Sequence, residues 1–83
     1  MVDETPEITP QDMRIAKQGA LSAYRSGRGL VTVDDMIGEA NLWMVKHLDK
    51  VVHWRTQNRH GQNKLRHAVR QRCLTIIAKE RRR

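Results

Sequence analysis

Between Thr32 and Val51 apolar side chains recur at every third or fourth position, and this spacing limits what the chain can become more than any other feature. Val33, Met36, Ile37, Ala40, Trp43, Met44, His47, Leu48 and Val51 fall on one broad stripe at about 100° per residue, which requires an amphipathic helix with that stripe against a core. Thr32 can cap its start, because Asp35 lies three residues on and closes a capping box, while Asp34 adds charge favourable to a helix N-terminus. Asp35, Glu39, Leu42, Lys46 and Asp49 fall on the opposite side. Leu42 is open to two readings there, a harmless exposed leucine or part of a docking patch.

Two further helices have similar signals. Thr9 repeats the capping device with Pro10 at the first helical position and Asp12 three residues on. This helix is expected over about 10–25, burying Met13, Ala16, Ala20, Leu21 and Tyr24, until Ser26-Gly27-Arg28-Gly29 stops it. Residues 1–9 are acidic with little to bury and are expected to be flexible. After Trp54 the stretch Arg55 to Asn63 reads as a polar loop on the strength of Asn58, Gly61 and Asn63. A last helix over 64–81 would bury Leu65, Val69, Cys73, Ile76 and Ile77. The expectation is an all-α fold, a small three-helix domain over 10–83, with helices at about 10–25, 33–53 and 64–81.

With 83 residues the chain has an economical core and no room for a large catalytic cavity. Cys73 stands alone, so no intrachain disulfide can form, which fits a reducing compartment. No apolar run approaches the roughly 20 residues that cross a bilayer, and Met1 to Pro10 is acidic where a signal peptide is basic and then apolar. A cytoplasmic location is expected. His47, His53, His60 and His67 lack the i, i+4 spacing of a helical metal pair, and neither a phosphate-binding Gly-rich loop nor a nucleophile beside a base is visible. Neither catalysis nor a metal or cofactor is expected.

Charge is divided along the chain. Up to Asp49 eight acids stand against five Lys and Arg, a net −3; from Lys50 onward eleven cations stand against Glu80 alone, a net +10. Cations packed so densely repel one another unless a phosphate-bearing partner meets them, so the last helix is a candidate nucleic-acid surface. Arg66, Arg70 and Arg81 gather near His67, and Arg72 and Lys79 flank the core edge.

The order of residues adds to this. Asp35-Met36-Ile37-Gly38-Glu39-Ala40-Asn41-Leu42 resembles the signature of the second conserved region of bacterial sigma factors: Asp, two aliphatics, Gln, Glu, a small residue, Asn and an aliphatic. Upstream, Tyr24 and Arg28-Gly29-Leu30 resemble the family's Tyr and Arg-Gly-Leu block; downstream, Val69-Arg70-Gln71 resembles its Ile-Arg-Gln, followed by a basic tail. The resemblance covers about residues 20–83 and is nearest to small sigma-like proteins of bacterial viruses. It implies that Asp35, Glu39, Asn41 and Leu42 contact the clamp coiled coil of the largest subunit of core RNA polymerase. It also implies that the third helix meets promoter DNA, Arg70 and Gln71 by phosphate or base-edge contacts and Lys64, Arg66, His67, Arg81 and Arg82 around them.

The chain departs from that pattern in the upstream block, where each spacing has one extra residue, and at two places beyond it. Gly38 replaces the family's Gln and weakens its own helix by as much as about 1 kcal/mol. Lys64 to Arg83 contains no Phe, Tyr or Trp where sigma factors carry base-stacking aromatics. Trp54 could substitute, or it could be core. The functional expectation is a sigma-like transcription regulator, monomeric, with RNA polymerase and DNA as partners. The alternative is a free-standing helical DNA-binding protein, and a membrane-surface helix is disfavoured by the lack of aromatic anchors.

Overall fold

The computed structural model describes residues 7–82. The chain is all-helical: α1 spans Pro10–Tyr24, α2 Val33–Lys46, α3 Leu48–Arg55 and α4 Asn58–Arg81. Both expected capping boxes form. The Thr9 hydroxyl accepts from the Asp12 N–H and the Asp12 carboxylate from the Thr9 N–H, and Thr32 and Asp35 repeat the exchange at the start of α2. Of residues 1–9, where flexibility is expected, 1–6 lie outside the described residues, while 7–9 are tied down: Ile8 packs against the core, the Glu7 carbonyl accepts from Arg55 and Thr9 caps α1.

Four helices replace the three expected, and each difference has a physical cause. The stripe from Val33 to Val51 does not belong to one continuous helix, because His47 leaves helical geometry (φ −124°, ψ 38°) and separates α2 from α3. At this break the His47 ring stacks on Trp43 with centroids 4.4 Å apart, and its Nδ1 lies 2.9 Å from the Trp43 carbonyl, which accepts its hydrogen. The change of direction brings Trp54 back onto Trp43, with centroids 6.1 Å apart and nearly parallel rings. One straight helix would carry Trp54 away from Trp43.

The expected loop from Arg55 to Asn63 is mostly helix as well. Only Thr56 and Gln57 separate α3 from α4, and Asn58 absorbs the turn with a left-handed backbone (φ 54°), which Asn tolerates better than most residues. Gly61 is a close-approach residue inside α4, since a Cβ at that position would sit 1.7 Å from the Trp54 carbonyl oxygen. Read from sequence alone, Asn58 and Gly61 look like loop punctuation; in the fold they allow a tight corner between two helices.

The core is built from Ile15, Ala16, Ala20 and Ala23 of α1, Met36, Ala40 and Met44 of α2, Val51 of α3, and Leu65, Val69, Cys73 and Ile77 of α4. Met13, expected in the core, is 43% exposed; Leu21, Tyr24, Ile37, Trp43 and Ile76 are half-buried. The buried face of α1 is turned toward Asp12, Ile15, Gly19 and Ala23. It is lined with small residues because α4 comes very near: a Cβ at Gly19 would lie 2.5 Å from the Arg66 carbonyl oxygen. Gln18 meets Arg66 and Ser22 meets Arg70 at the same sequence offset of 48, so α1 and α4 run parallel and in register.

One buried charge is fastened into this frame. Asp12 is 3% exposed, and its Oδ2 accepts from Arg55 Nε at 2.9 Å as well as from the Thr9 backbone. Arg55 also donates to the Glu7 carbonyl, so the end of α3 clasps the start of α1.

Candidate docking and nucleic-acid faces

The outer face of α2 is set by what the inner face uses. Met36, Ala40 and Met44 point into the core, which leaves Asp35, Gly38, Asn41, Leu42 and Val45 exposed and Glu39 half-buried at the edge. Asp35 and Glu39, one turn apart, present two carboxylates on neighbouring positions. Leu42 is 45% exposed and Val45 63%, so two aliphatic side chains sit beside the carboxylates in water. Asn41 lies on the far side of Leu42 from Asp35, and the four positions named by the resemblance therefore span the width of the exposed face. Gly38 lies at the middle of that face with nothing within 4 Å of a Cβ placed there.

Val45 is the member that sequence reasoning missed. A helical projection places it between Asn41 and Leu42, so the signal was available in the spacing 38, 42, 45. Beside this face a recess of about 280 Å³ opens between α2 and α4, lined by Glu39, Leu42, Trp43, Lys46, His47 and Arg72. Glu39 Oε2 and Arg72 lie 3.9 Å apart across it, an exposed and long ion pair that fixes little. Behind them Cys73 is fully buried, its thiol donating to the Met36 carbonyl at 3.7 Å. Burial pushes that thiol up from 9.0 to about 11, with the Glu39 carboxylate adding to the rise and the Arg72 guanidinium opposing it. A protonated, enclosed thiol is a poor nucleophile.

The basic helix divides into two sets. Lys64, His67, Gln71 and Arg82 are exposed on its outward side. Arg66, Arg70 and Arg81 instead line the edge facing α1. Arg66 donates through Nε to Gln18 Oε1 at 3.0 Å and through a terminal amino group to Asn63; Arg70 donates through Nε to Ser22 Oγ at 3.2 Å; Arg81 donates to the Ser26 carbonyl. All of these acceptors are neutral, so the three guanidinium groups are oriented without losing their charge. Over Asn58–Arg81 seven cations stand against Glu80.

Trp54 is half-buried and stacked on Trp43, which also stacks on His47. Among the described residues no group of three His, Cys, Asp or Glu is placed to hold a metal ion, and no helix is long and apolar enough to cross a membrane.

Compared with models of known protein families, with curated proteins and with solved structures, the chain matches none.

Proposed function

We propose that this protein is a sigma-factor-like transcription regulator, docking on core RNA polymerase through α2 and contacting promoter DNA through α4. The observation that carries the reading is the outer face of α2, where Asp35 and Glu39 stand one turn apart beside exposed Leu42 and Val45 while the inner face is consumed by the core. Paired carboxylates next to an aliphatic patch suit a partner helix that offers arginines above an apolar stripe. The order Asp35-Met36-Ile37-Gly38-Glu39-Ala40-Asn41-Leu42, similar to the sigma signature, makes the clamp coiled coil of the polymerase's largest subunit that partner. Gln71 is suited to base edges, with Lys64, His67 and Arg82 exposed on the same side, while Arg70 lies on the edge facing α1 and suits phosphate contact.

The test is binding to purified bacterial core RNA polymerase, with Asp35→Ala/Glu39→Ala as the paired variant. The reading requires wild-type binding that the double variant weakens by at least about tenfold, the scale of two charge-assisted contacts.

A second reading has an observation of its own. Seven cations against one acid on α4, three of them held by neutral acceptors, would bind DNA without any polymerase. DNA binding with no affinity for core polymerase would favour a free-standing DNA-binding domain.

A further inference from the structure

We infer that the seam between α1 and α4 is a binding surface for the phosphate backbone of double-stranded DNA, with Arg14, Lys17 and Arg25 of α1 contributing alongside Arg66, Arg70 and Arg81. The inference rests on the proposed DNA-binding reading and extends it to a helix that sequence charge alone assigns to the acidic half of the chain. In space that assignment fails. The acid of α1 is Asp12, which is buried and bound to Arg55, so the exposed surface of α1 carries Arg14, Lys17 and Arg25 with no carboxylate among them.

The register of the two helices brings Arg66, Arg70 and Arg81 beside the flank of α1 that carries Arg14 and Arg25, and Lys17 follows Arg14 by one turn around the exposed side. Gln18, one turn beyond Arg14, holds Arg66; Ser22, three residues before Arg25, holds Arg70; and the Ser26 carbonyl holds Arg81. Arg66 and Arg70 are one turn apart, about 6 Å along the axis, Arg81 lies eleven residues further on, and Arg66 to Arg81 spans roughly 22 Å. That is about two thirds of a duplex turn of roughly 34 Å. Each guanidinium is anchored through a neutral oxygen. Arg70 uses only its Nε, and among the described residues its terminal amino groups take no partner. Cations already ordered in the free protein bind phosphate with less entropy loss than loose ones.

The same surface argues against other polyanions. Tyr24, half-buried beside Arg25, is the aromatic residue of α1, and α4 carries no Phe, Tyr or Trp, too few stacking rings to follow a run of unpaired bases, which points to duplex over single strand. Leu21, half-buried, is the apolar residue between Arg14 and Arg25, too little to anchor a lipid surface.

Fluorescence anisotropy with a labelled mixed-sequence duplex of about 30 base pairs, across a salt series, tests this. Removing one cation that neutralises a phosphate should flatten the slope of log K against log salt by about 0.9. Arg14→Ala/Lys17→Ala/Arg25→Ala alters only exposed side chains, and circular dichroism checks that the fold is kept. The expected result is a slope flatter by about 2 to 3 and a duplex affinity lower by roughly tenfold or more at low salt. An unchanged slope and affinity would overturn the inference. Lys64→Ala/Arg82→Ala separates the two levels: binding abolished there but intact in the α1 variant would leave the DNA-binding reading standing and remove α1 from it. No duplex binding by the wild type would sink both. Tighter binding to phosphatidylserine vesicles than to the duplex would also overturn the inference.

Discussion

The starts of α1 and α2 use the same local device and serve opposite ends. In each, a threonine caps the helix and an aspartate three residues on closes the box. Asp12 is then buried and clasped by Arg55 from 43 residues away, which makes it a tertiary fastener. Asp35 stays exposed, bound to Thr32 and otherwise facing water beside Glu39 and Leu42. A capping box fixes where a helix begins; whether its carboxylate holds the fold together or is offered to a partner depends on what the rest of the chain brings to it.

The sharpest way to break this comparison is to remove each carboxylate. Asp12→Ala removes both the carboxylate that Arg55 clasps and the second half of the Thr9 capping box, and should destabilise the protein by about 2 to 4 kcal/mol, read as a drop in the urea midpoint. Asp35→Ala at the exposed box should cost no more than about 1 kcal/mol in the same titration. Similar costs at the two positions would mean that Arg55 adds nothing to α1.

The seats of the two helices also differ in their response to alkali. α2 rests through the Met36 carbonyl on the Cys73 thiol, whose folded value is raised to about 11 from 9.0. The fold prefers the protonated thiol and holds its proton longer than the unfolded chain does. That contribution is intact below about pH 9 and disappears as pH rises toward 11. Urea midpoints should fall over this window in the wild type and fall less in Cys73→Ala, which lacks the titrating group. Equal slopes would show that the enclosed thiol is not what α2 leans on.

Smaller again, and of opposite sign, is Gly38→Ala. Nothing lies within 4 Å of the added methyl, so the substitution should stabilise α2 by up to about 1 kcal/mol, measured as a higher melting temperature. A loss of stability would mean that the middle of the outer face is not open.

Much of this architecture is legible in the residues, and the gaps are specific. Thr9-Asp12 and Thr32-Asp35 mark two helix starts because their signal is local, and the Leu65, Val69, Cys73, Ile77 stripe places α4 because its period is long and clean. The break at His47 is not legible, since the apolar spacing runs through it; only the stacking of both His47 and Trp54 on Trp43 reveals why the chain turns there. Asn58 and Gly61 mislead because their roles are set by the corner between α3 and α4, where Asn58 takes a left-handed backbone and Gly61 lies against the Trp54 carbonyl. On the candidate faces, Asp35, Glu39 and Leu42 are exposed or half-exposed together as their spacing implies. The division of the arginines into an outward set and an α1 edge depends on Gln18, Ser22 and Ser26, far away in sequence.

Glu39→Lys reverses a charge at the edge of the α2 face without touching either capping box, which makes it the most direct probe of docking. Binding of this variant should be measured in parallel against core RNA polymerase and against duplex DNA. Polymerase affinity reduced by about tenfold or more, with duplex affinity equal to or above wild type, is the predicted result. Polymerase binding unchanged by the reversal would contradict docking through α2.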